Sequence, residues 1–195
     1  MTWAERVVQE WDASVTETVN IRNPLVASLS RIPWDLFWTQ TFRKPIANAW
    51  AARNAWCRSL AEWSSLRPVT AALFALEPHA DYRSLHVHAL LSMRQRMPLR
   101  VFRREWRSWK NWSWRTMGKA LWLHVQDQTF LWYVTKYVTK MPASAHWMTE
   151  HQKQTLKENQ WGLLTSTDIA SYYVSQEVTI GQESSERGPI GPSTI

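Results

Sequence analysis

Two histidines alternate along a short apolar run of this chain, in the sequence LHVHALL over residues 85–91. A run of this length between polar segments is typical of a buried β-strand, and side chains two residues apart on a strand project from the same face. His86 and His88 can therefore direct their imidazoles to one point and share a metal ion. An isolated pair of this kind is more often two ordinary polar residues on an exposed strand face.

A third metal ligand has to come from a neighbouring element. The segment just before the histidine strand carries two candidates, Glu77 and His79, on either side of Pro78. Glu77 is favoured because a mixed carboxylate and imidazole set leaves coordination positions open and accepts Mg²⁺ or Mn²⁺, the ions that suit phosphodiester chemistry. His79 is the alternative ligand.

A second candidate group is the tandem repeat YVTKYVTK over residues 133–140. Residues four apart share a helix face, so Tyr133 and Tyr137 can reach one site, and Lys136 and Lys140 repeat this geometry one turn later. A tyrosine phenolate can attack a phosphodiester in line, displace the 3′ hydroxyl and leave a 5′-phosphotyrosine. A nearby lysine can favour the phenolate, neutralise charge on phosphorus or protonate the leaving oxygen. The alternative is structural, with both tyrosines packed in the core and the lysines solvated.

These groups need a scaffold that brings a strand and a distant helix together. The predicted order is strand, helix, strand, strand, helix, strand, helix, which describes an α+β fold with a central antiparallel β-sheet and helices flanking it on one face. Asp127 stands at the N-cap of the tyrosine helix, which we expect to lie across the face that presents the histidines. The predicted strands are residues 34–42, 69–76, 85–91 and 120–125. The predicted helices are residues 3–19, 47–64, 99–114, 128–141 and 149–159. Residues 161–178 suit either a strand or a helix.

Composition narrows the classes of partner and of site. The net charge of +7 and the pI near 9.9 favour polyanionic partners such as nucleic acid or an anionic membrane surface. With Cys57 as the only cysteine, one chain can form neither a disulfide framework nor a cysteine-rich zinc site. The sequence has no GxxxxGK[ST] motif, so no P-loop motor is expected. No long apolar span or signal-like leader occurs, which predicts a cytosolic protein.

Tryptophan and arginine are concentrated between residues 94 and 115. The chain has fifteen tryptophans, and flat aromatic rings together with basic side chains are what single-stranded nucleic acid binds. The preferred interpretation of this segment is a helix whose tryptophans pack on the sheet and whose arginines form a solvated face. Arg43 and Lys44, just after the first strand, are candidates for contacts with a DNA backbone.

The sequence EPHADYRSLHVHALL, followed by YVTKYVTK, resembles the replication gene A proteins of bacteriophages and their rolling-circle relatives, in the branch with two tyrosines. These are HUH endonucleases. The first motif of that family, a strand of alternating aromatic and threonine residues, is matched here by FWTQTF at residues 37–42, and the resemblance spans about residues 35–141. It implies a ferredoxin-like, RRM-like palm and rolling-circle replication in the cytoplasm of a bacterial host.

The resemblance also implies roles for individual residues. The metal ligands would be Glu77, His86 and His88, and the ion Mg²⁺ or Mn²⁺. Tyr133 and Tyr137 would be the nucleophiles, assisted by Lys136 and Lys140, and single-stranded origin DNA would contact Thr39, Thr41, Arg43 and Lys44. The connection ADYRS lacks the glycine-containing turn usual in relatives, which leaves Glu77 and His79 both open as the third ligand. A separate helicase and polymerase would be needed, and no membrane is expected.

The domain organisation predicted from these patterns has one catalytic unit with extensions. Residues 1–33 form a helical N-terminal extension, 34–165 the endonuclease domain, 166–180 a C-terminal element of that domain and 181–195 a disordered tail. Two other functions remain compatible with the sequence. One is a single-strand HUH transposase or relaxase, and the other is a non-catalytic single-strand DNA-binding protein.

Overall fold

The structure, a computed structural model, describes residues 19–79, 83–127, 129–139 and 147–172; within these, the side chains of residues 19–23 and 137–139 fall outside the description. The strands within these residues are β1 (Leu36–Thr41), β2 (Val69–Pro78), β3 (Leu85–Met93), β4 (Ala120–His124) and β5 (Trp161–Thr165). They form one sheet in the order β4-β1-β3-β2-β5, and every neighbouring pair is antiparallel. The predicted α+β fold with a central antiparallel sheet is therefore confirmed.

Four helices lie close to their predicted bounds, whereas the helix at residues 19–29 lies beyond the one predicted at 3–19. They are α1 (Val19–Leu29), α2 (Ala49–Leu66), α3 (Leu99–Thr116), α4 (Thr129–Thr139) and α5 (Glu150–Asn159), and residues 166–172 are also helical. The side-chain carboxylate of Asp127 accepts a hydrogen bond from the Thr129 amide at 2.8 Å, which confirms the predicted cap of α4. The segment left open between strand and helix contains both, since β5 is followed directly by helix.

Tryptophans fill the core between the sheet and the two long helices α2 and α3. The ring of Trp38 stacks on that of Trp122 with centroids 4.4 Å apart, and Trp56 and Trp109 pack around this pair. The indole N–H of Trp38 donates to Gln40 and that of Trp122 donates to Ser113, so these polar atoms are satisfied inside the core. The arginines of α3 lie outside. The preferred interpretation of the segment 94–115 is confirmed for Trp109, which is buried, and for Trp106 and Trp112, which are partly buried against the core, but not for the exposed Trp114.

The opposite face of the sheet carries a second, smaller core. Phe37, Leu73 and Leu90 project from three neighbouring strands and pack against Leu131 and Val134 of α4. Helix α1 contacts α4 and adds its own apolar residues to this core. Helices therefore cover both faces of the sheet, rather than one as the sequence suggested, because both faces of its central strands are apolar.

Two glycines occupy positions where the chain comes close to a neighbouring element. A Cβ on Gly118 would lie 2.6 Å from the carbonyl oxygen of Thr41, and a Cβ on Gly162 would lie 2.7 Å from the Phe74 ring. The first allows the connection between α3 and β4 to pass the end of β1. The second allows β5 to pair with β2 over a ring that is itself fully buried.

Several predictions fall on residues outside the described part of the chain. These are most of the N-terminal helix predicted at 3–19, the disordered tail at 181–195, and Lys140. The proposed domain bounds stay predictions. Among the described residues, no helix combines the length and the apolar character that crossing a bilayer requires.

Candidate metal centre

Three side chains with metal-binding atoms meet on the sheet face that α4 partly covers. His86 and His88 alternate along β3, and Glu77 on β2 is the direct cross-strand partner of His86. Their neighbours on the same face, Ala75 and Leu90, belong to the core beneath α4. The strand periodicity thus sets the side on which the imidazoles project, and the pairing of β2 with β3 brings the carboxylate to them.

The donor atoms of this cluster converge on one point. The Glu77 Oε2 atom lies 3.0 Å from His86 Nε2 and 3.1 Å from His88 Nε2, and the two Nε2 atoms are 3.0 Å apart. Adjacent ligands of an octahedral ion with bonds of about 2.1 Å are separated by about 3.0 Å. The three atoms therefore have the spacing of one triangular face of an octahedral metal site, and such a site would leave further coordination positions open.

His79 stays outside this donor set. Its ring faces that of His86 edge-on with centroids 5.7 Å apart. Its backbone amide donates to the carbonyl of Ser84, and its carbonyl accepts a hydrogen bond from the Trp147 indole. Among the described residues, the group able to hold a metal consists of Glu77, His86 and His88. The geometry favours Glu77 over His79 as the third ligand.

The electrostatics of the cluster suit a divalent cation. Burial by itself would raise the pKa of Glu77, but hydrogen bonds from His86 and His88 outweigh it and hold that pKa at about 2. Burial lowers the pKa of His88 to about 4 and outweighs the hydrogen bond to Glu77, which by itself would raise it. At neutral pH the cluster therefore offers a carboxylate anion and a neutral imidazole, the protonation states that a metal ion requires of its ligands.

Helix α4 brings the first tyrosine and the first lysine of the repeat to the cluster. The ring of Tyr133 meets the His88 ring edge-on with centroids 5.3 Å apart, and it also meets Phe37 edge-on at 5.7 Å. Lys136 is close enough for its charge to act on His88. The backbone of Tyr137 continues the same helix, but its side chain and the whole of Lys140 lie outside the described residues.

The two threonines assigned to DNA contacts lie on β1 beside the cluster. Thr39 pairs directly with His88, and its hydroxyl oxygen is 3.0 Å from His88 Nδ1. Thr41 pairs with His86, and its hydroxyl donates to the carbonyl of Lys119. Sequence reasoning missed the contact between Thr39 and His88, because the register of β1 against β3 leaves no signal in the sequence.

Arg43 and Lys44 lie just beyond β1, at the end of the sheet that holds His86. Both are exposed, and together with Arg58 they line a cavity of about 720 Å³ between the strand end and helix α2. The guanidinium of Arg43 donates to the carbonyl of Arg115 at 3.2 Å, which steadies its position. This basic cavity is also lined by Glu62 and by Met117, and it lies on the tryptophan side of the sheet, away from the metal-binding atoms.

Trp161 is a further residue of this face that sequence reasoning did not assign to the site. Gly162 and Leu164 face the tryptophan-rich core, so alternation along β5 turns Trp161 to the side of the histidines. Trp161 pairs with Ala75, which pairs with His88, and it is 42% exposed. Trp161 therefore lies two strands away from His88, so the backbones of these two residues are about 10 Å apart.

The site thus combines a carboxylate and two imidazoles with a phenol and a lysine. This set of groups can coordinate a divalent cation beside a phosphodiester and present an oxygen nucleophile to it. Comparison of the chain with protein-family models, with curated proteins and with solved structures finds no match in any of the three.

Proposed function

We propose that this protein is a metal-dependent endonuclease that cuts single-stranded DNA and stays joined to the cut end through a tyrosine. One observation carries the proposal: the three metal-binding atoms lie within 4.8 Å of one another, and the Tyr133 ring rests against one of the imidazoles. A structural role alone would explain the packing of the tyrosine. It would not explain a semi-buried carboxylate and two histidines with their ligand atoms turned to a common point.

The proposed reaction exchanges one phosphodiester bond for another. The phenolic oxygen of Tyr133, or of Tyr137 one turn later, attacks phosphorus, and the bond from phosphorus to the 3′ oxygen breaks. The phenol loses a proton and the departing 3′ oxygen gains one, so there is no net change in protons. Attack by a 3′ hydroxyl on the phosphotyrosine reverses the step and rejoins the strand.

Each group of the site has a place in this reaction. A bound Mg²⁺ or Mn²⁺ would polarise the scissile phosphate. Glu77, His86 and His88 would hold that ion, and Lys136 would neutralise the charge that grows on phosphorus or stabilise the phenolate. The net charge of +7 supports a polyanionic substrate.

The biological setting we propose is the initiation of rolling-circle replication. It rests on the resemblance of the three motifs in their order along the chain. Two tyrosines would let one cut the origin strand while the other resolves the displaced strand. Because the sequence has no P-loop motif, a separate helicase would unwind the duplex, and a polymerase of the host would extend the 3′ end.

Covalent capture tests the chemistry and does not require the origin sequence. A labelled pool of single-stranded oligonucleotides, each with a random segment beside a hairpin, is mixed with the full chain and Mn²⁺. We expect a denaturation-resistant adduct that is absent with a chelator and absent from the variant combining Tyr133→Phe with Tyr137→Phe. Tyr172→Phe is the matched control, because Tyr172 belongs to the core on the other face of the sheet.

The outcomes separate the competing functions. An adduct that survives in the double tyrosine variant refutes the assigned nucleophiles. Binding of the pool with no adduct from the unmodified chain indicates a non-catalytic single-strand DNA-binding protein. Where an adduct forms, the sequence of the oligonucleotide that reacts is compared with the DNA around the coding region. A match in a hairpin there supports initiation, and a match in flanking terminal repeats supports a transposase.

A further inference from the structure

The hydroxyl of Thr39 is directed at the ring nitrogen of His88 that points away from the metal-binding cluster. Thr39 and His88 are direct partners in the pairing of β1 with β3, and both project from the same sheet face. The Oγ1 and Nδ1 atoms are 3.0 Å apart. The His88 side chain is 5% exposed, so this contact is shielded from water that could replace either partner.

The chemistry of imidazole gives this contact a direction. The Nε2 atom of His88 faces Glu77 and His86, and it can bind a cation only through its lone pair. A neutral imidazole that keeps the lone pair on Nε2 carries its proton on Nδ1, so Nδ1 must donate. When an ion is bound at Nε2, Thr39 Oγ1 lies within hydrogen-bond distance of Nδ1 and can accept its proton. A histidine ligand is generally oriented in this way by an acceptor at its second nitrogen.

The second histidine provides an internal contrast. His86 Nδ1 is buried and has no hydrogen-bond partner among the described residues. Thr41, which pairs with His86 as Thr39 pairs with His88, turns its hydroxyl to the Lys119 carbonyl instead. The two equivalent cross-strand pairs therefore differ, and the threonine beside His88 is the one that contacts an imidazole.

We propose that Thr39 is a positioning residue that accepts a hydrogen bond from Nδ1 of His88 and so presents the Nε2 lone pair to the metal ion. This inference rests on the proposed function, because it concerns the same metal centre. It gives the first of the three sequence motifs a role in metal binding, in place of direct contact with DNA through Thr39.

Two substitutions at Thr39 separate the hydroxyl from the shape of the side chain. Thr39→Val has nearly the same shape and no acceptor, whereas Thr39→Ser keeps the hydroxyl. Loss of such an orienting partner costs about 10–100-fold in metal affinity. We expect Thr39→Val to weaken Mn²⁺ binding, followed by electron paramagnetic resonance of the unbound ion, by that factor, and Thr39→Ser to stay within about threefold of the unmodified chain.

Thr41→Val is the matched control, since it makes the same change two residues along the same strand. We expect it to leave Mn²⁺ affinity within about threefold of the unmodified chain. Equal weakening by Thr41→Val and Thr39→Val would show a general disturbance of β1 and would overturn the proposal. Unchanged affinity in Thr39→Val would overturn it as well.

A second readout follows the Nδ1 proton itself. Without an ion, Nε2 of His88 faces the Glu77 carboxylate and can carry the proton, so this readout uses the ion-bound chain. In protein labelled with ¹⁵N-histidine and saturated with diamagnetic Mg²⁺, we expect His88 to carry a proton on Nδ1 that exchanges slowly with water, and Thr39→Val to speed this exchange. Equal exchange rates in the two chains would refute the role of Thr39. If neither the unmodified chain nor Thr39→Ser binds Mn²⁺ or Mg²⁺, the proposed metal centre itself fails, so the two failures are distinguishable.

Discussion

The ring of Tyr133 meets the ring of His88 edge-on, with centroids 5.3 Å apart and ring planes at 89°. This contact joins helix α4 to strand β3 and sets a phenol beside the atoms that could bind a metal ion. Phe37 supports the tyrosine from β1 in the same edge-on manner. The ring is therefore held by packing, and a substitution that removes only the hydroxyl tests its chemistry separately from that packing.

Replacement of Tyr133 by phenylalanine should separate these two roles. Tyr133→Phe keeps both edge-on contacts, so its melting temperature should stay well above that of Tyr133→Ala and its Mn²⁺ affinity should be unchanged. Any adduct that remains should map by mass spectrometry to Tyr137. Tyr133→Ala should lower the free energy of unfolding by roughly 2–4 kcal/mol through the lost packing. An adduct found on a residue outside the YVTK repeat in Tyr133→Phe would contradict the assignment.

The stability of the metal-free protein should fall as the pH decreases below about 6.5. Unfolded His88 gains a proton near its ordinary pKa of 6.5, but burial keeps the folded pKa at about 4, so the unfolded state binds more protons between these values. Glu77 adds a second loss of stability at lower pH, between its ordinary pKa of 4.5 and its folded pKa of about 2. Its pKa is lowered because hydrogen bonds from the histidines outweigh its burial. The loss assigned to His88 is roughly 2–3 kcal/mol between pH 7 and 4.

Urea unfolding of the unmodified chain and of His88→Asn across this pH range measures the effect. The difference in unfolding free energy between the two proteins should shrink as the pH falls from 6.5 to 4, because the variant lacks the imidazole whose pKa the fold lowers. A difference that stays constant over this range would show that His88 is not held neutral by the fold.

Asp35 links the start of β1 to the end of β3 and the start of α3, and its loss should destabilise the fold. The carboxylate is 1% exposed and accepts hydrogen bonds from the amides of Met93 and Met97 at 2.9 and 3.0 Å, as well as an ion pair from Arg96. Asp35→Ala leaves both amides without this acceptor and should cost about 2–4 kcal/mol in thermal or chemical unfolding. Arg96→Gln is the control. The Arg96 side chain is 65% exposed, so this change should cost under about 1 kcal/mol.

The basic cavity beyond β1 should contribute to the salt dependence of DNA binding. Replacing both Arg43 and Lys44 by glutamine removes two cations that line it. For single-stranded DNA, the slope of log affinity against log salt should then fall by about 1.4, or about 0.7 for each lost phosphate contact. Arg103→Gln combined with Arg107→Gln, on the exposed side of α3, should leave the slope nearly unchanged. Equal slopes for the two double variants would rule out a specific role for the cavity.

Trp161 should stack on a base of the bound strand. It is exposed on the same sheet face as the metal-binding residues, one strand beyond Ala75. Because base stacking on an aromatic ring contributes about 1–3 kcal/mol, Trp161→Ala should weaken single-strand binding by about 5–150-fold, and Trp161→Phe should restore part of the loss. Trp114→Ala is the control. Trp114 is 55% exposed on α3, on the other side of the sheet, and affinity should be unchanged there.

An abasic site in the oligonucleotide sharpens this measurement. When it removes the base that stacks on Trp161, the unmodified chain should lose affinity while Trp161→Ala loses little more, since the two changes delete the same contact. Additive losses at every position of the strand would show that Trp161 contacts no base.

The sequence by itself determined the local features of the site. Alternation along β3 sets His86 and His88 on one face whatever the remainder of the chain does, and the apolar spacing of residues 129–139 with Asp127 before them specifies a capped helix that carries Tyr133. These properties depend on residues close together in the chain, which is why periodicity and capping predict them.

Only the tertiary structure decided which distant residues meet there. Strand register selects Glu77 over His79 as the third donor and places Thr39 behind His88. The amino-acid composition of the strands does not distinguish this register from one shifted by a residue. The packing of α1 and α4 on one face, with α2 and α3 on the other, likewise depends on how apolar surfaces from remote segments fit together. Because such pairings are set by the packing of the whole chain rather than by neighbouring residues, no local pattern records them.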